Sequence, residues 1–170
     1  MTRDIGALVS KESGSWWGSK EVTYSVTANG LLNDSELTHY NHSLNGDALG
    51  NTLVASVEGD WLFGHGGDDL LRSDKGHVTF VGGAGNDVLH SGGGSNTFLF
   101  SGAFGFDAIN GYQGSDKLVF MGVEGAGQGY DYRQHASQAG QDTLLKVGDF
   151  SVTLVGVGLD NLSASGFVFA

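Results

Sequence analysis

Two aspartates, Asp69 and Asp87, each close a six-residue glycine-rich run: G-H-G-G-D-D at 64–69 and G-G-A-G-N-D at 82–87. A loop of that composition can aim several main-chain carbonyls at one point, because glycine reaches left-handed and crowded conformations without steric cost. A carboxylate beside those carbonyls adds charge and further oxygen. An all-oxygen donor set suits a hard cation such as Ca²⁺, which takes about six to eight ligands. Without an ion, carboxylates brought together would repel and inward carbonyls would lack partners. Ion binding and folding are therefore expected to be coupled.

The composition agrees with that chemistry. Among 170 residues there are 30 Gly, no Pro and no Cys. A collagen helix is excluded, since there is neither a Gly-X-Y period nor proline. Disorder is disfavoured by a hydrophobic content of 39%. The net charge of −11 argues against nucleic acid and anionic membrane surfaces as partners and favours a cation. Missing cysteine removes disulfides and thiolate metal sites. No apolar run is long enough for a transmembrane helix, so no membrane insertion is expected. Met1–Ile5 lacks the apolar core of a signal peptide. That leaves a cytosolic chain, a leaderless export route, or a fragment of something larger.

Stepping outward from the two loops, a nine-residue period organises the middle of the chain. Leu44, Leu53, Leu62, Leu71, Phe80, Leu89 and Phe98 follow one another at that interval. Two positions before each stand His42, Asn51, Asp60, Asp69, Val78, Asp87 and Asn96. Each unit reads as a six-residue turn and a three-residue strand, with the large apolar residue inward and its neighbours outward. One unit cannot bury its apolar side chain alone, so the copies must stack.

The best copies are G-G-A-G-N-D-V-L-H at 82–90, G-H-G-G-D-D-L-L-R at 64–72 and S-G-G-G-S-N-T-F-L at 91–99. They follow the G-G-x-G-x-D-x-U-x nonapeptide of Ca²⁺-binding parallel β-helices, and the chain resembles the repeats-in-toxin (RTX) family. The resemblance implies an all-β fold: a right-handed parallel β-roll, or β-helix, of nonapeptide repeats with a C-terminal antiparallel β cap. It implies two nonapeptides per coil, so that stacked loops lie 18 residues apart. Loops 46–51, 64–69 and 82–87 then form one column, and loops 55–60, 73–78 and 91–96 the other. The second column is degenerate, with Val78 at a ligand position and Lys75 adding positive charge. Ca²⁺ is therefore expected mainly on the first side. The family pattern assigns the carbonyls of Gly64, Gly66, Gly82, Gly83 and Gly85 and the carboxylates of Asp69 and Asp87 to the strongest site. A weaker site would use Asn51, a neutral oxygen donor. In the family an aspartate after the last repeat often completes the terminal site. Asp107 and Asp116 are the candidates, and turn-forming aspartates are the equally open alternative.

Three segments are expected: a capping or linker segment at 1–43, the Ca²⁺-binding roll at 44–105, and a cap with secretion-signal region at 106–170. Within the last, 143–155 reads as a β-hairpin turning at Gly148–Asp149. The end, 158–170, resembles the uncleaved C-terminal signal of proteins exported by the type I machinery, and is also compatible with a final core strand. Near the start, Glu21–Thr27 alternates like a strand. Trp16–Trp17 suits capping aromatics better than a sugar platform, and His39 and His42 suit surface histidines better than metal ligands.

No H-E-x-x-H, G-x-S-x-G or P-loop lysine motif occurs. The chain is read as non-enzymatic, although family members often carry a protease, lipase, epimerase or toxin domain before the repeats. The leading function is a calcium-binding roll of a secreted, extracellular protein that folds on Ca²⁺ after type I export. The alternative is an extracellular polysaccharide-binding or adhesive module, using Trp61, Tyr112, Tyr130 and Tyr132 as outward aromatics. This could be the non-catalytic part of a polysaccharide-modifying enzyme. A third reading, an ice-binding roll, is set aside because Thr52, Thr79 and Thr97 form no continuous outward column.

Overall fold

A computed structural model describes the backbone of residues 11–14, 20–25, 31–33 and 42–170, and side chains from Ser43 onward. Trp16, Trp17 and His39 lie outside the described residues. In chain order the first strands are β1 (Lys11–Gly14), β2 (Lys20–Ser25), β3 (Leu31–Asn33), β4 (His42–Asn45) and β5 (Thr52–Ala55). The repeats continue as β6 (Trp61–Gly66), β7 (Leu70–Ser73), β8 (Thr79–Ala84), β9 (Val88–Ser91) and β10 (Thr97–Ser101). Beyond them come β11 (Phe106–Asn110), β12 (Lys117–Met121), β13 (Ala136–Ala139), β14 (Asp142–Val147), β15 (Phe150–Val155) and β16 (Phe167–Phe169).

From β2 to β13 successive strands alternate between two eight-stranded sheets, ordered β1-β2-β4-β6-β8-β10-β12-β16 and β13-β14-β15-β11-β9-β7-β5-β3. Between β2 and β12 strands next to each other in a sheet are therefore one coil apart in sequence. The register makes this concrete. Leu44 faces Leu62, Leu62 faces Phe80, and Phe98 faces Phe80, all in parallel. On the opposite sheet Leu53 faces Leu71, and Leu71 faces Leu89. The expected parallel β-roll is the fold.

Every apolar residue of the nine-residue series, from Leu44 to Phe98, is fully buried. Flanking residues face outward, as the exposed–buried–exposed–buried pattern of Leu70–Ser73 shows. Fully burying each such Leu or Phe contributes about 1.5–3 kcal/mol, and that gain exists only when neighbouring coils cover it.

The parallel ladder runs on beyond the best repeats. Ile109 faces Leu89 and Leu118 faces Phe98. These coils are longer, and the extra chain around 101–106 turns Phe104 into the interior. Its ring lies 5.0 Å from Phe100, 5.9 Å from Phe120 and 5.2 Å from Phe150. The expected hairpin is present: Val147 pairs with Phe150 across Gly148–Asp149. Gly148 takes φ +62°, a left-handed conformation that a side chain would strain. Strand β15 joins β11 in parallel, so the hairpin extends one sheet while β16 extends the other. At the opposite end β2 pairs with β4, in line with the strand expected near residue 21.

Candidate metal centre

Because the coil repeats every 18 residues over the best units, the sixth loop residues Asn51, Asp69 and Asp87 stack. Their main chains and side chains link into a ladder. The Asn51 N–H donates to Asp69 Oδ1 at 2.6 Å, and the Asp69 N–H to Asp87 Oδ1 at 2.8 Å. The Asp87 N–H donates to Asp107 Oδ1 at 2.9 Å, across a step of 20 residues. One oxygen of each carboxylate is thus used to hold the coil above it.

The second oxygen is not used. Oδ2 of Asp69, Asp87 and Asp107 is buried with no hydrogen-bond partner, and so is Nδ2 of Asn51. These four are the orphaned buried side-chain atoms among the described residues, and all belong to one column. An unpaired buried carboxylate oxygen is expensive, so such atoms call for a positive partner.

Main-chain carbonyls lie close to two rungs of this ladder, at Asn51 and Asp69. A methyl group on Gly64 would strike both Asp69 Oδ2 and the Gly82 carbonyl oxygen. One on Gly82 would strike Asp87 Oδ2, and one on Gly46 would strike Asn51 Oδ1 and, at 2.6 Å, the Gly64 carbonyl. Glycine is required at these positions to let main-chain and carboxylate oxygens share one small space. Gly83 at φ +100° and Gly85 at φ +133° carry the loop over the His65 and Gly67 carbonyls. Gly66 lies at the end of β6, where its N–H donates to the Asp47 carbonyl at 3.0 Å.

The electrostatics point the same way. Burial, opposed by the Asn51 N–H and reinforced by the charges of Asp87, Asp47 and Asp68, lifts Asp69 to about 7. Burial likewise lifts Asp87 to about 6 and Asp107 to about 8. Without a cation, the fold resists ionising its own ladder. Among the described residues no three His, Cys, Asp or Glu side chains converge as a chelate. Carboxylate oxygens with a main-chain carbonyl beside them make an all-oxygen environment, the chemistry that suits Ca²⁺.

The profile of the RTX calcium-binding nonapeptide repeat (4 copies) matches residues 45–80 and 71–98. Residues 45–98 are RTX repeats. The chain is 54% identical over 72 residues to a lipase of Pseudomonas fluorescens, a match covering 42% of this chain and 14% of the lipase. It also aligns with the crystal structure of the extracellular lipase LipA from Serratia marcescens. That alignment has a TM-score of 0.66 and 40% identity, over 96% of this chain and 26% of LipA. The chain thus spans only a minor part of either lipase.

The second column of the RTX roll is built differently. The Val78 N–H donates to Asn96 Oδ1 at 3.1 Å, and the Asn96 N–H to Asp116 Oδ1 at 2.8 Å. Asp116 Oδ2 accepts from the Gln113 N–H at 2.8 Å, so both of its oxygens are satisfied. Val78 is buried in the apolar core and offers no oxygen. Lys75 sits 3.7 Å from its neighbour Asp74. The two C-terminal candidates therefore separate: Asp107 stands in the column with orphaned oxygens, and Asp116 in the self-satisfied one.

The aromatics singled out in sequence do not share one surface. Tyr132 is buried and stacks on Phe167 with centroids 4.2 Å apart, because the chain end needs an apolar cover. Tyr130 packs against Phe169 and donates its hydroxyl to the Lys146 carbonyl at 2.6 Å. Tyr112 is half-buried against the cap, leaving Trp61 outward. This corrects the expectation of an outward aromatic set. Sequence reading also passed over the fifth loop position of the RTX repeats, occupied by Asp68 and Asn86. The signal was there: both well-formed loops carry a side chain able to accept a hydrogen bond beside the ladder aspartate.

Proposed function

We propose that this chain is the Ca²⁺-loaded β-roll of a secreted lipase, non-catalytic in itself, which folds on meeting extracellular calcium. The observation that carries the reading is the set of three orphaned, buried carboxylate oxygens on Asp69, Asp87 and Asp107 in a single column. Those oxygens, with carbonyls of Gly64, Gly66, Gly82, Gly83 and Gly85, would hold the ions. When bound, Ca²⁺ supplies the positive charge that the ladder lacks. The Asn51 rung is the weak one, because Asn51 Oδ1 already accepts from the Asp47 N–H at 2.7 Å and its unpaired atom is a donor. The side chains of Asn96 and Asp116 serve the other column as hydrogen-bond acceptors without a metal.

The lipase assignment rests on the two similar proteins named above, both lipases and one described as extracellular. Type I export is supported by the resemblance of residues 158–170 to an uncleaved C-terminal signal. In a cytosol low in Ca²⁺ the charged ladder would keep the chain open and exportable. Outside, each ion at about 100 times its Kd adds about 2.7 kcal/mol. Far-ultraviolet circular dichroism in chelator and in Ca²⁺, paired with calorimetric titration, tests this. The β signal and heat of binding should appear together. An unchanged β signal in chelator with no heat on adding Ca²⁺ would overturn the proposal.

A further inference from the structure

We propose that Asp68 and Asn86 are positioning residues that lock consecutive Ca²⁺ loops in register through bonds running in the direction opposite to the aspartate ladder. This rests on the calcium reading above and concerns a position that the nonapeptide pattern leaves free.

The inner ladder has a direction. The N–H of each sixth residue donates to the side chain one coil later: Asp69 to Asp87, and Asp87 to Asp107. The fifth residues run the other way. The Asn86 N–H donates to Asp68 Oδ1, one coil earlier, at 2.8 Å. The Phe106 N–H donates to Asn86 Oδ1 at 3.1 Å. Each pair of stacked loops is therefore bonded reciprocally, with adjacent residues on each loop donating in one bond and accepting in the other. Slippage of one loop past the next breaks both bonds at once.

The clamp occurs where the carboxylate oxygens are orphaned. It spans the steps from 68–69 to 86–87 and from 86–87 to 106–107, which carry Asp69, Asp87 and Asp107. At the Asn51 step the fifth residue is Gly50, which has no side chain to accept, and a methyl group there would lie 2.6 Å from the Asp68 carbonyl. In the second column the fifth residue donates the other way: the His77 N–H goes to the Ser95 main-chain carbonyl, one coil later, at 2.9 Å. A carbonyl-rich site gains affinity when its loops are held in place before the ion arrives, since less ordering remains to be done on binding. Asp68 and Asn86 are exposed, so their bonds serve loop register more than core stability.

Calorimetric Ca²⁺ titration of the full chain carries the test. Asn86→Ala removes an acceptor and no charge. It should raise the Ca²⁺ concentration at half-saturation about three- to tenfold, the scale of one hydrogen bond, with the ion count unchanged. Asn86→Asp, which keeps the acceptor, should restore binding to wild-type strength or better. Asp68→Asn should stay nearer wild type than Asp68→Ala. Amide exchange in the Ca²⁺ form adds a local readout: Asn86→Ala should speed the Phe106 amide, and Asp68→Ala the Asn86 amide. If Asn86→Ala titrates as wild type, the positioning role is overturned, and a loss equal for both Asp68 variants would leave that residue a charge effect only. A wild-type chain that takes up no Ca²⁺ overturns the metal reading itself, an outcome distinct from variants that match a binding wild type.

Discussion

The Asp87 main-chain N–H donates to Asp107 Oδ1 at 2.9 Å, over a sequence step of 20 residues where the repeats step by 18. An aspartate outside the repeat match at 45–98 thus takes the next rung of the same ladder. Its partner in sequence, Asp116, takes the same step to Asn96 in the other column.

These two aspartates should respond differently to truncation. Asp107→Ala should reduce the number of Ca²⁺ ions bound per chain by one, counted by calorimetry. Asp116→Ala should leave the ion count unchanged and lower stability by about 1–3 kcal/mol, because the Asn96 and Gln113 amides lose their acceptor. Equal loss of Ca²⁺ in both variants would contradict a one-sided metal column.

Acidity should oppose calcium and favour the ion-free fold. Asp69, Asp87 and Asp107 hold their protons to about 7, 6 and 8, against 3.8 for an ordinary aspartate. Below pH 3.8 folded and unfolded chains are both protonated at these sites, and no charge penalty falls on the fold. As pH climbs from there through 6 to 8, the unfolded chain ionises first, and the ion-free roll loses stability. Urea melts in chelator should therefore give midpoints that fall with rising pH over that window. In Ca²⁺ the dependence reverses: affinity should weaken from pH 8 to pH 6, and binding should release protons, measurable as a buffer-dependent heat.

Glycine replacements should separate the crowded loops from the open ones. Gly82→Ala puts a methyl group onto Asp87 Oδ2, one of the buried unpaired oxygens. It should abolish the Ca²⁺-induced β signal or shift its midpoint at least about tenfold, the effect of a lost charge-assisted contact. Gly93, in the second column, has nothing within 4 Å of an added methyl group. Gly93→Ala should leave the Ca²⁺ midpoint in place.

The interior should behave as a packed core once calcium is bound. Leu89 is fully buried between Leu71 and Ile109 in neighbouring coils. Leu89→Ala should cost about 2–5 kcal/mol in a urea melt at saturating Ca²⁺. Thr97→Ala, on the outer face of β10, should cost less than about 0.5 kcal/mol.

The amino-acid sequence by itself determined the repeating unit, its inward residues from Leu44 to Phe98, the hairpin at 143–155 and the loops around Asp69 and Asp87. Those features are local and recur at fixed spacing, so each copy reports the same phase. Only the tertiary structure decided which column Asp107 and Asp116 join. A period cannot say where extra chain is absorbed; here it goes into the turn that buries Phe104, and strand pairing of Ile109 with Leu89 restores the register. The same holds for Tyr132, whose burial against Phe167 depends on a chain end that returns to the last coil from far along the sequence. It holds too for the reciprocal bonds of Asp68 and Asn86, which exist only once two loops lie one above the other.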